Sequence, residues 1–234
     1  MGRQQSQSSR CILRKIPFEG GRLLLTCDRI RDGHPWGGLV YYVPKNGKPR
    51  KLSLHPMYNF WDIQSGDVDG DGKPEIALCT WSKTRIVPIY ARRYFVYGWD
   101  GHDVYPRWRG SRLSKPYVQA RLVNLQGEKG MILLAVEITR NGRKCLTAYR
   151  WNDFGFTGLA GGDEHEFITL VPNSDNKPWV RMKDSGKPAS LYAVQIENDR
   201  ITLTRHLHPA SNELRITTHN LRITTHAPRR SESK

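Results

Sequence analysis

The chain has 234 residues, of which 38% are hydrophobic, with seven Trp and ten Tyr. That length allows one ordinary or large domain or two small ones, with enough apolar mass for a core of large aromatic pieces. No apolar run approaches the ~18 residues of a membrane-spanning helix, so a transmembrane bundle is excluded. The formal net charge of +15 sits largely at the two ends. Residues 1–15 carry Arg3, Arg10, Arg14 and Lys15 without an acid, and residues 205–234 carry six Lys or Arg against two acids. The middle keeps an excess of only +7. Non-specific attraction to polyanions follows from such a balance, but no nucleic-acid motif accompanies it.

Residues 1–11 are polar, basic and low in complexity, and predict a disordered N-terminus. Met1-Gly2 followed by Ser6 fits the N-myristoylation pattern, which is short and common. Leu23-Leu24-Leu25 is too short for the apolar core of a secretory signal and follows Glu19 and Arg22, so no export signal is expected. Strand signals begin at Ile12: the stretches 12–16, 22–26 and 39–43 are apolar or alternating, with turns at Glu19-Gly20-Gly21 and Asp32-Gly33. Asn46-Gly47 predicts a hairpin between 41–43 and 51–54.

From Trp61 to Trp81 the pattern sharpens. Asp67-Val-Asp-Gly-Asp-Gly-Lys-Pro-Glu75 places carboxylates at loop positions one, three, five and nine, with glycine at six. Alternate acids in a tight loop can turn inward together on a hard cation, and Ca²⁺ takes about six to eight oxygens. Asp67, Asp69, Asp71 and Glu75 are the candidate side-chain ligands, the Lys73 carbonyl supplies a backbone oxygen, and Gly72 permits the sharp turn. An EF-hand requires flanking helices and a carboxylate at position twelve, where this chain has Leu78. Trp61 and Ile63 before the loop, and Ile76, Leu78 and Thr80 after it, alternate as strands do.

A strand–DxDGDGxxE–strand unit resembles the FG-GAP (VCBS-type) repeats of integrin-like β-propellers, over about twenty residues. Glu75 departs from the Asp of that family at position nine. The resemblance implies a β-propeller with one structural Ca²⁺ per intact loop and an extracellular or periplasmic setting. The alternative at this level is an acidic, Gly-rich turn that binds no cation tightly. Asp28–Gly33 reads as an eroded loop of the same kind, with Ile30 between Asp28 and Asp32.

An offset of 55 residues aligns a second copy without a gap: Ile63-Gln64 meets Val118-Gln119, Val68-Asp69 meets Val123-Asn124, Asp71-Gly72 meets Gln126-Gly127, and Ile76 and Leu78 meet Met131 and Leu133. The acids have become Leu122, Asn124 and Gln126, so only the first loop is expected to hold a cation. Phe95–Gly101 and Leu146–Asn152 follow the two copies as similar pieces. Asn141-Gly142 marks another hairpin, and a fainter unit spans 186–204, turning at Asn198-Asp199. Units of this size with four strands each predict an all-β chain: a β-propeller or partial propeller of about four antiparallel four-stranded blades over residues 12–205. Trp61, Trp81, Trp99 and Trp151 are expected between blades, and Trp108, flanked by Arg107 and Arg109, on the surface.

Four cysteines lie without metal-ligand spacing, and Cys79 and Cys145 fall in apolar strands as small buried hydrophobes. Residues 206–234 repeat Leu-Arg-Ile-Thr-Thr-His at 214–219 and 221–226, without the paired apolar positions of a coiled coil, and predict a disordered basic tail. The expected function is a non-enzymatic calcium-binding module that presents loops to a protein or glycan, with a further chain as a partner if the ring is incomplete. The alternatives are a carbohydrate-active enzyme fragment or accessory domain, or a non-specific polyanion binder. No nucleophile elbow, metalloprotease helix or phosphate-cradling loop is present, and Asp163-Glu164-His165-Glu166 reads as a solvated charged turn.

Overall fold

The computed structural model describes residues 11–84, 87–109, 112–173 and 176–206. The expected disordered ends, 1–11 and 206–234 with the duplicated hexapeptide, lie outside them except for Cys11, which opens a strand and is not part of a disordered start, and His206. Eighteen strands and no helix are present among the described residues, so no helix is long and apolar enough to cross a membrane.

The strands form four antiparallel sheets of four. The first blade consists of β1 (Cys11–Phe18), β2 (Gly21–Cys27), β5 (Leu39–Pro44) and β6 (Arg50–Lys51). A small hairpin, β3 (Arg29–Arg31) and β4 (His34–Trp36), is inserted in it. Asp32 and Gly33 turn this hairpin with φ of 51° and 73°, the paired left-handed residues that a tight two-residue turn requires. The eroded-loop stretch is therefore a hairpin. The second blade is β7 (Asn59–Gly66), β8 (Glu75–Ser82), β9 (Ala91–Trp99) and β10 (Val104–Trp108). The third is β11 (Tyr117–Val123), β12 (Ile132–Ile138), β13 (Lys144–Trp151) and β14 (Phe156–His165). The fourth is β15 (Phe167–Val171), β16 (Trp179–Lys183), β17 (Ser190–Glu197) and β18 (Arg200–Arg205). A single parallel bridge, Gly161 to Arg200, joins β14 to β18 and links the last two blades into one eight-stranded sheet.

The central strands β8 and β12 bury both faces, which explains their near-continuous apolar sequences. In β8, Ile76 and Leu78 face the first blade, where they meet Leu23 and Leu25. The smaller Ala77 and Cys79 face the third, where Tyr117, Tyr149 and Trp151 fill the space. Ile132, Leu134 and Val136 pass through β12 to pack on Ile168, Val180 and Val194 of the fourth blade. Each such aliphatic side chain, fully buried, contributes about 1.5–3 kcal/mol. Cys79 and Cys145 are buried as expected of small hydrophobes.

Four blades thus enclose three hydrophobic cores. First strands neighbour one another from β1 to β7, β7 to β11 and β11 to β15, with no comparably extensive contact from the fourth blade back to the first among the described residues. Among the described residues the architecture is a partial propeller, an arc open at one sector.

Side-chain amides tie the arc together at its first strands. Gln64 of β7 donates from Nε2 to Ala120 O at 2.8 Å, and its Oε1 accepts Leu122 N–H at 2.7 Å. Gln119 of β11 accepts Leu170 N–H at 2.9 Å and the Thr169 hydroxyl at 3.0 Å from β15. Arg14 of β1 donates to Asp62 of β7 at 2.7 Å.

Trp61, Trp99 and Trp151 pack between blades. Trp108 does not stand exposed. It belongs to β10 and packs half-buried on Phe156, with ring centroids 5.6 Å apart, because Gly155 lets the chain approach its indole.

Candidate metal centre

Gly66 and Glu75 are paired across β7 and β8, so the strand register closes the 67–74 loop at its base. Gly70 (φ 73°) and Gly72 (φ 86°) take left-handed conformations that reverse the chain twice within it. Gly70 has a second reason to lack a side chain. A Cβ there would lie 2.5 Å from Lys129 Cγ and 2.7 Å from Lys129 O, since the 127–131 turn of the third blade packs against the loop. Met131 N–H donates to Asp67 O at 2.7 Å across that contact.

Four consecutive backbone amides point into the carboxylates. Asp67 Oδ1 accepts Gly70 N–H at 2.6 Å and Asp71 N–H at 3.2 Å, and its Oδ2 accepts Gly72 N–H at 2.8 Å. Asp69 Oδ1 accepts Asp71 N–H at 3.2 Å, and Asp71 Oδ1 accepts Lys73 N–H at 2.8 Å. Asp67, Asp69 and Asp71 each offer an oxygen, and these lie within 4.8 Å of one another. Like charges so placed repel by about 3–4 kcal/mol per pair at an effective dielectric near 20. The donated amides offset part of that, and a divalent cation would offset the rest. Lys73 is exposed beside them.

Glu75 lies outside the three-carboxylate group. It is buried, its Oε2 accepts Val68 N–H at 3.0 Å, and its Oε1 is bonded by Arg107 Nη1. The other arm of the same guanidinium, Nη2, donates to Asp69 Oδ2 at 2.6 Å. Arg107 comes from β10, two strands away from β8 in the same sheet, and its guanidinium also lies 5.2 Å from the Trp151 ring centroid. Burial pushes the Asp69 carboxyl up, but the Arg107 hydrogen bond and charge and the Asp71 amide outweigh it, leaving the group below its ordinary value. At Glu75 burial prevails over the same arginine and the Val68 amide, and the carboxyl is raised. The residues present can gather a hard cation at three carboxylates, with a fixed organic cation already beside one of them.

The corresponding loop of the third blade does other work. Asn124 N–H donates to Asn176 O at 2.8 Å, and Glu128 receives two bonds from Arg150, at 2.7 and 2.6 Å. The same turn supplies the buttress for the acidic loop.

A second polar cluster lies inside the third blade. Glu137, fully buried in β12, accepts from Thr147 Oγ1 at 2.7 Å, from Tyr149 OH at 2.5 Å, and from Ser114 Oγ at 3.0 Å. Lys115 Nζ stands 3.5 Å away. Burial and the bond to Glu137 push the Tyr149 phenol up, so it remains a donor. Sequence reading missed this hub and Arg107. A charged residue inside the apolar run Ile132–Ile138 is the available signal for the first. The Asp163–Glu166 stretch makes surface pairs: His165 Nδ1 lies 2.9 Å from Asp184 Oδ2, and Glu164 accepts from Asn141 at 2.8 Å.

No protein-family model and no curated protein matches the sequence. Among solved structures, a Xanthomonas Type IV secretion system related protein is similar at 10% identity. The match covers 86% of this chain and 95% of that one with a TM-score of 0.33, too slight to bear on fold or function.

Proposed function

We propose that this chain is a non-enzymatic, calcium-binding, propeller-like module that presents its loops to a protein or glycan. The observation that carries the calcium half is the convergence of Asp67, Asp69 and Asp71 within 4.8 Å in a loop rigidly closed by strand pairing. The ion would be structural, neutralising close carboxylates and holding the 67–74 turn against the third blade. With a Kd at the tighter end of the 10⁻⁴–10⁻³ M range of extracellular modules, millimolar Ca²⁺ adds about 1.4 kcal/mol. Mg²⁺ serves less well, because it demands a tighter octahedron and keeps its waters. Terbium or calcium titration is expected to give one site, abolished by Asp69→Ala and retained in Asn124→Ala. A melting temperature indifferent to both millimolar Ca²⁺ and chelator would overturn the reading.

Arg107 favours a second reading, in which its guanidinium is the permanent cation of an acidic turn and no metal is needed. The same titration decides between the two. Association with another chain at the open sector between the first and fourth blades is part of the proposal, and sedimentation equilibrium measures it.

A further inference from the structure

A cleft of about 520 Å³ lies where the second and third blades meet, between the end of β8, the start of β9 and the segment leading into β11. Its volume falls in the range of about 300–1,000 Å³ typical of small-molecule sites. The inserted hairpin of the first blade adds one wall. His34 stacks on Trp81 with centroids 4.3 Å apart and ring planes 1° from parallel, and Trp81 stacks in turn on Tyr90 at 6.1 Å and 14°. Lys83 Nζ is 5.0 Å from the Tyr90 centroid. These three rings make an aromatic wall of the cleft. Trp81 packs against the first blade through His34, between blades as expected, and also lines this wall.

Pro116, Val118 and Ile138 add an aliphatic lining. Ile89 stands 58% exposed at the lip. Three cations line the space, Arg92, Arg112 and Lys115, and no Asp or Glu does so among the described residues. Arg92 is fixed: its Nη1 donates to Tyr117 O at 3.2 Å and Val118 O at 3.1 Å, and its guanidinium lies 5.6 Å from the Trp61 centroid. Lys115 is paired with Glu137, a carboxylate that does not line the space. Three cations against that one carboxylate leave an excess of two positive charges.

We propose that this cleft binds a small organic anion, a flat apolar body carrying a carboxylate or sulfate. The apolar body fills the space between the aromatic and aliphatic walls, and the charged group lies toward Arg92 and Arg112. This goes beyond the proposed function and is independent of calcium.

The test uses the full chain with 1-naphthoate as probe and uncharged 1-naphthalenemethanol as its control, titrated calorimetrically at low and physiological salt. One naphthoate site is expected, at least about tenfold tighter than the neutral analogue, the ~1.4 kcal/mol of a partly screened charge pair. Affinity should fall as salt rises, and the His34 ring resonances should shift on binding. Arg112→Glu, at an exposed position, should lose about tenfold or more, and Ile89→Asp should weaken binding similarly. Equal binding of the two probes, no loss in Arg112→Glu, or no saturable binding of naphthoate would each overturn the proposal. Naphthoate affinity is to be measured also in chelator and in Asp69→Ala. Unchanged binding there, with no calcium response in the wild type, would remove the calcium reading and leave this one standing.

Discussion

Gln64 and Gln119 occupy the same place in successive blades, and each uses its side-chain oxygen to accept a backbone N–H from the first strand of the next blade, Leu122 and Leu170 respectively. They coincide at the 55-residue sequence offset. A buried amide side chain satisfies the backbone where no adjacent strand is available to do so.

Truncating this latch should be costly. Gln64→Ala leaves Leu122 N–H and Ala120 O without their partner in a buried setting, an expected loss of about 2–3 kcal/mol. Gln119→Ala, in a part-buried setting, should cost about 1–2 kcal/mol. Urea unfolding provides the comparison, and a Gln64→Ala midpoint equal to that of the wild type would refute the latch.

Arg107 binds two acids that repel each other. Arg107→Ala strands Asp69 and Glu75, whose side chains are 17% and 5% exposed, and should destabilise by about 2–3 kcal/mol. If the loop takes calcium, removing the competing guanidinium should also tighten calcium binding, and millimolar Ca²⁺ should restore part of the lost melting temperature. A variant as stable as the wild type would show that the ion pair contributes nothing.

The two acids should respond to pH with opposite signs. Asp69, held below its ordinary 3.8, contributes stability that is present above that pH and lost as pH falls through the lowered value. Glu75, raised above 4.5, contributes stability that is complete below 4.5 and lost as pH rises through the raised value. Asp69→Asn should therefore flatten the acid limb of the stability curve below about pH 4, and Glu75→Gln should steepen it. Chemical denaturation across this range measures both slopes, and a parallel change in the two variants would contradict the assignment.

Glu137 gathers four side chains at the heart of the third blade. Glu137→Ala should cost about 3–5 kcal/mol, because it leaves buried Tyr149 and Thr147 hydroxyls without an acceptor as well as a cavity. Glu137→Gln keeps the volume and should cost less, about 1–2 kcal/mol. Equal losses in the two variants would mean that packing, and not hydrogen bonding, dominates.

The sequence by itself determined the class of fold and the local turns. Alternation of apolar residues specifies strands because their side chains point to opposite faces with period two. Asn198-Asp199 turns β17 into β18 with φ of 51° and 59°, as such pairs do. The spacing of Asp67, Asp69 and Asp71 also brings their oxygens together, because an eight-residue loop between paired strands leaves them nowhere else to turn. Strands β15 and β16 escaped the sequence reading although Phe167–Val171 is a short apolar run: five residues show too little period to separate a strand from a loop, and Trp179–Lys183 interrupts its apolar residues with Arg181 and Lys183.

Only the tertiary structure decided what stands around that loop. Arg107 reaches Asp69 and Glu75 from 38 and 32 residues away, through a sheet order that no local pattern encodes. Trp81 comes to wall a cleft because His34 and Tyr90, distant in sequence, both stack on it. The open sector is decided at the same level: blade count follows from strand periodicity, but closure depends on the angle between successive sheets, which is set by the sizes of side chains meeting in the three cores.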